Sequence, residues 1–226
     1  MPDQLPHPRA IIWDWDNTLV DGWAAIAAGL NAAFAEFGMP PWSLEDVKAR
    51  VRRSLRESFP EVFGTEWERA RDIFYREVRA RHLAVLRPMP GAAEALKAGA
   101  ALAPMAVNSN KQGPLLRAEA TELRWTGFFR QLVGAGDATA DKPDPAPMRL
   151  ALAACGVPAG QEVWYVGDTA LDMQAARAAG CSAVLLGRAE HDGGIANAAP
   201  DAAFDDGHAL SAHLSLLAKR GAAVRL

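Results

Sequence analysis

Four clusters of residues in this chain could do chemistry. The first is Asp14-Trp15-Asp16-Asn17-Thr18, which follows the apolar run Ala10–Trp13. Two carboxylates two residues apart repel each other unless something neutralises them. A divalent cation with hard oxygen ligands would do so. The same spacing also suits a turn closed by Asx bonds. The second cluster, Asn108-Ser109-Asn110-Lys111, ends another apolar run. Small hydroxyl and amide groups there could hold phosphoryl oxygens, helped by backbone N–H groups at the start of the next helix. They are equally good as a plain helix cap. The third is Asp141-Lys142-Pro143-Asp144-Pro145. A lysine before proline is held extended, so its ammonium can be fixed against a carboxylate or phosphate, or it can simply lie in an exposed loop. The fourth is Gly167-Asp168-Thr169-Ala170-Leu171-Asp172. Asp168 and Asp172 are one helical turn apart and can face one point. Asp172 would also suit the positive end of a helix.

Each cluster follows a segment that must carry it. Ala10–Trp13, Met105–Val107, Gln131–Val133, Val163–Val166 and Ala183–Leu186 are short apolar runs and read as strands. Between them, Ala92–Ala101, Pro114–Leu123, Pro145–Cys155 and Ala170–Ala179 are rich in Ala and Leu and read as helices. This alternation predicts an α/β fold with a Rossmann-like parallel-sheet core and helices on both faces. Ligands bind at the carboxyl edge of such a sheet, where all four clusters fall.

Residues 21–87 break the rhythm with an all-helical pattern. Trp23, Ile26, Leu30 and Phe34 form one helical face, and Trp67, Phe74, Val78 and Val85 another. Ser43 and Thr65 are placed to cap helices. The chain therefore divides into a core, 1–20 with 88–226, and an inserted helical cap, 21–87. The cap holds 11 Lys/Arg and 10 Asp/Glu; the core holds 13 and 17. Arg50, Arg52, Arg53 and Arg56 form the strongest local charge run. It reads either as a solvated helix face or as a receptor for an anionic group.

Composition excludes other classes. The chain has 226 residues, half of them apolar, and a net charge of −3. That supplies no basic field for nucleic acid, and no run is long enough to cross a bilayer. Met1–Arg9 does not read as a signal peptide. Two cysteines, Cys155 and Cys181, make no disulfide framework and fit a cytoplasmic protein. The five histidines include no pair with metal-ligand spacing.

The order and shared edge of the four clusters resemble the haloacid dehalogenase superfamily of phosphotransferases, over nearly the whole chain. The helical insertion, and the run from Gly167 to Gly180, look like its phosphoglycolate phosphatase-like branch. The resemblance implies Mg²⁺ held by Asp14, the backbone carbonyl of Asp16, Asp168 and Asp172. It implies Asp14 as nucleophile and Asp16 as general acid and base. Ser109, Asn110 and Lys142 would bind the phosphoryl group, with Thr18 orienting Asp14 and its turn within the same phosphate site. Arg50, Arg52, Arg53 and Arg56 are candidates for a carboxylate of a small phosphorylated metabolite. Asn17 stands where the family most often has Gly; Asn tolerates the positive φ that turn needs. The alternatives are a sugar phosphomutase, a phosphonoacetaldehyde hydrolase-like enzyme using Lys48, the one cap lysine, and a catalytically silent binding domain. Monomer and homodimer stay open.

Overall fold

The computed structural model describes residues 5–51 and 55–223. It comprises two compact units, Met1–Val20 with Pro88–Leu226, and Asp21–Arg87.

The first unit is built on six parallel strands: β1 (Ala10–Trp13), β2 (Met105–Gln112), β3 (Phe129–Ala135), β4 (Val163–Gly167), β5 (Ser182–Leu186) and β6 (Ala202–Phe204). Their order is β3-β2-β1-β4-β5-β6. The strand order reverses beside β1, which makes the β1–β4 crevice a topological switch point. Every residue of β1, β4 and β5 is buried, which is why these strands are apolar throughout rather than alternating. Trp13 pairs with Val107 on one side and Val166 on the other. The next residue of each strand therefore reaches the carboxyl edge at the same level.

In the sheet unit the helices are α5 (Ala92–Ala100), α6 (Gly113–Glu122), α7 (Ala146–Cys155), α8 (Ala170–Ala178), α9 (Gly194–Ala198) and α10 (Gly207–Ala223). No strand was expected at β6, nor a helix at α10. β6 has only three residues, and α10 is an Ala- and Leu-rich segment beyond the last strand the pattern revealed. Strand β2 also runs five residues past the apolar Met105–Val107. Its polar tail pairs with β3 across a register shift between Asn108 and Gln112.

The second unit holds α1 (Trp23–Glu36), α2 (Leu44–Arg50), α3 (Leu55–Phe63) and α4 (Trp67–Val85). Its buried faces keep Leu30 and Phe34 of α1 and Phe74 and Val78 of α4, as expected, but not the other residues of each expected face. Helix α1 buries Ala25, Gly29, Leu30, Ala33 and Phe34, while Trp23 and Ile26 are only half-buried. The small residues let α4 approach closely: a Cβ on Gly29 would lie 2.7 Å from the Phe74 ring. Helix α4 presents Ala70, Ile73, Phe74, Val78 and His82. Ser43 caps α2 in a full capping box with Asp46. Thr65 caps nothing; it lies in the 3₁₀ turn Gly64–Glu66, which leads into α4 with no side-chain cap. Among the described residues no helix is long and apolar enough to cross a membrane.

Candidate active site

The strand edge gathers Asp14, Lys142, Asp168 and Asp172, all buried. Asp14 leaves β1 with its N–H bonded to the Val166 carbonyl at 2.8 Å, which holds it beside β4. The following turn depends on Asn17 at φ 63°, the left-handed geometry a Gly would otherwise supply. Lys142 Nζ donates to Asp14 Oδ1 at 2.6 Å and to Asp172 Oδ1 at 2.7 Å. The loop holding Lys142 is clamped by Asn110, whose side chain accepts from the Lys142 N–H at 2.9 Å and donates to its carbonyl at 3.2 Å.

Asp172 performs both tasks that its position suggested. Its Oδ2 accepts from the Thr169 hydroxyl at 2.6 Å and the Thr169 N–H at 3.0 Å, closing the capping box of α8. Its Oδ1 is left for Lys142. Gly167 makes this possible: a Cβ there would lie 2.4 Å from Asp172 Cβ. Tyr165 secures the arrangement from below. Its hydroxyl donates to the Asn108 carbonyl at 2.8 Å and lies 3.2 Å from Asp172 Oδ1. Thr18 is turned toward Asp168, not Asp14, and donates to Asp168 Oδ1 at 3.0 Å. Ser109 is buried within β2 beside this edge.

The electrostatics follow from burial and the single ammonium. Burial raises Asp14 from 3.8 to about 6; Lys142 pulls it down and Asp172 pushes it up. Burial, then Asp172 and Asp14, hold Asp168 well above the usual carboxylate range. Asp172 is buried too, but Lys142 outweighs that and lowers it. Burial also works against the Lys142 ammonium, yet Asp14 and Asp172 dominate and hold it well above the usual lysine value. Asp14, Asp168 and Asp172 each offer a carboxylate oxygen, all within 4.8 Å of one another. Asp168 Oδ2 is buried and accepts no hydrogen bond. Three carboxylates against one ammonium, with an orphaned oxygen, suit a hard divalent cation.

Asp16 stands apart from that trio. Its carboxylate goes to Lys111, at 2.7 Å. Lys111 Nζ also meets Glu119 at 3.0 Å. Trp15 is fully buried and donates from Nε1 to Glu119 at 2.7 Å. Burial pulls the Lys111 ammonium down, but Asp16 and Glu119 outweigh it and raise its pKa.

Sequence reasoning missed Tyr165 and Glu119 as site residues, and gave Lys111 no role within the second cluster. Glu119 did leave a signal: it falls four after Leu115 and three after Leu116, on the buried face of α6. His191 was also missed; its Nε2 lies 3.7 Å from Asp168 Oδ2. Arg50 pairs with Asp46 at 3.3 Å and lies over the Trp42 ring at 4.8 Å. Arg52 and Arg53 lie outside the described residues, as does the side chain of Arg56.

Fold and site together define an enzyme with a buried carboxylate centre at the switch point of a parallel sheet. Residues 11–186 match the haloacid dehalogenase-like hydrolase family, and the chain belongs to that family. It is 34% identical to a phosphoglycolate phosphatase of Pseudomonas syringae pv. tomato, over 88% of this chain and 77% of that protein. It is also 34% identical to a phosphoglycolate phosphatase of Chromobacterium violaceum, over 81% and 86%. A haloacid dehalogenase-like hydrolase from Streptococcus pneumoniae shares the fold with a TM-score of 0.76, at 22% identity over 87% of this chain and 93% of that one.

Proposed function

We propose that this enzyme releases phosphate from a small phosphorylated acid of the phosphoglycolate type, by way of an aspartyl-phosphate on Asp14. It is a phosphoric monoester hydrolase. The observation that carries this reading is the buried Asp14–Lys142–Asp172 bridge beside an Asp168 oxygen that accepts no hydrogen bond. It is what a carboxylate nucleophile needs to meet an anionic ester.

Asp14 attacks phosphorus and the ester P–O bond breaks, its electron pair leaving on the substrate alkoxide. Asp16 protonates that alkoxide, then takes a proton from water as the water oxygen displaces Asp14 from phosphorus. Lys142 neutralises charge shared between Asp14 and the phosphoryl oxygens. Ser109 and the Asn110 N–H hold non-transferred oxygens, while Thr18 orients Asp168. Asp14, the Asp16 carbonyl and Asp168 would hold Mg²⁺, with Asp172 in or behind that set. When bound, the ion offsets the charge that separates an anionic nucleophile from an anionic phosphate.

The unit Asp21–Arg87 is the cap that supplies specificity, with Arg50, Arg52, Arg53 and Arg56 as candidates for a substrate carboxylate. The 34%-identical phosphoglycolate phosphatases support that substrate class. A Schiff-base reading would need Lys48, which pairs with Glu45 at 3.6 Å on the helical unit.

Asp14→Asn should abolish Mg²⁺-dependent phosphate release from p-nitrophenyl phosphate with the far-UV spectrum unchanged. Undiminished release would overturn the nucleophile assignment. A screen of phosphorylated metabolites tests the substrate class: phosphorylated carboxylic acids should lead it, and Arg→Ala changes across the cluster should lower that preference.

A further inference from the structure

The proposed reaction uses Asp16 but does not explain why a lysine and a glutamate are buried behind it. Lys111 and Glu119 side chains are 8% and 2% exposed. A glutamate on the apolar face of a helix is costly to bury and is found there only when its charge is met. Here both oxygens are used: Oε1 meets Lys111 at 3.0 Å and Oε2 accepts from Trp15 Nε1 at 2.7 Å. Lys111 in turn reaches Asp16 Oδ1 at 2.7 Å. Trp15 and Asp16 are adjacent in the chain, so the contacts close a ring: Trp15, Glu119, Lys111, Asp16. The ring is fixed on its outer side, where the Trp15 indole packs edge-on against Trp125 and Phe129 with centroids 6.0 and 6.4 Å apart.

We propose that Glu119 and Lys111 are positioning residues that aim the Asp16 carboxylate at the leaving-group oxygen; this rests on Asp16 being the general acid. An Asp just before a left-handed residue, here Asn17 at φ 63°, has two side-chain torsions to fix. Lys111 takes Oδ1 and leaves Oδ2 to carry the proton. Glu119 makes Lys111 a fixed point, because an ammonium with one carboxylate partner can swing about it and one with two cannot. Trp15 anchors Glu119 to the segment that carries Asp16, so nucleophile segment and acid move as one piece.

The test uses kcat/KM, which reports formation of the aspartyl-phosphate, for phenyl phosphate and p-nitrophenyl phosphate. The two esters have similar shape. Phenoxide is the stronger base and needs the acid; p-nitrophenoxide needs it far less. Asp16→Asn should lower the phenyl phosphate value by about 10²–10⁴ and the nitrophenyl value much less. Glu119→Gln and Lys111→Met should show the same selectivity, each losing about tenfold or more on phenyl phosphate relative to the other ester. Trp15→Phe keeps a packing ring and should show it to a smaller degree. In the Asp16→Asn background, adding Glu119→Gln should change phenyl phosphate turnover by less than about twofold, because the two act as one unit. Equal losses on both esters, or a full Glu119→Gln loss persisting without Asp16, would overturn the proposal. If Asp16→Asn is selective and the Lys111 and Glu119 variants are not, only the positioning role fails. If Asp16→Asn itself shows no selectivity, the acid role falls and the positioning role with it.

Discussion

Lys142 is the residue on which the carboxylate centre depends. Among the described residues it is the one ammonium bonded to Asp14 and Asp172, and all three are buried. Replacing it by Met would leave buried negative charge without a partner. Breaking a buried pair in this way costs about 3–5 kcal/mol, which a urea melt of the metal-free protein would register together with loss of phosphatase activity. The sequence pointed to Lys142 because a lysine before proline is held extended and its ammonium can be fixed. It pointed to Asp14, Asp168 and Asp172 through their places after apolar runs. Lys111 and Glu119 were hidden because their role arises only when β2 and α6 bring them to Asp16. Tyr165 looked like one more apolar strand residue, and only its hydroxyl contacts set it apart.

At the scale of elements, the junction from β4 to α8 does the most. It must deliver Asp168 at the strand end, then turn Asp172 back over the preceding residue. Gly167 leaves room for that return. Gly167→Ala should displace Asp172 from Lys142, lower stability by about 1–3 kcal/mol, and depress kcat more than substrate binding. A melt and steady-state kinetics on p-nitrophenyl phosphate would check both. Undisturbed stability and kcat would mean that the helix can shift without harm. Elements with a strong period or a continuous apolar run were legible: β1, β4, β5, and α5 to α8 within a residue or two at their helical ends. The faces of α1 and α4 were legible in half: Leu30, Phe34, Phe74 and Val78 are buried as expected, while Trp23, Ile26, Trp67 and Val85 are only half-buried.

At the scale of the whole molecule, the charges set a pH dependence with a definite sign. Asp14 rises to about 6 in the folded, metal-free state, and Asp168 is also raised. A carboxyl that binds its proton more tightly when folded favours the fold at low pH, and that advantage is lost as pH rises. Metal-free stability should therefore fall between about pH 4 and 6 through Asp14, and Asp168 adds to the fall in the same direction. Asp172 is lowered from 3.8, so its opposite contribution changes only below that range. The proposed Mg²⁺ would be held by the ionised carboxylates, so the rise in melting temperature on adding it should be larger at pH 7 than at pH 5. Calorimetry at the two pH values checks this; equal rises would count against a cation site on these carboxylates.

The sequence by itself determined the strand–helix rhythm, the carboxyl edge on which chemistry could occur, and four residues of its centre. These are local properties: apolar runs, turn residues and helical spacing are written in neighbours along the chain. The tertiary structure alone decided which oxygen of Asp172 caps a helix and which meets Lys142. It also decided that Thr18 serves Asp168, and that Asp16 meets Lys111, which pairs in turn with Glu119, both about a hundred residues away. Such pairings depend on how parallel strands from distant parts of the chain come into register. A buried charge finds its partner across that register, which spacing along the chain does not encode.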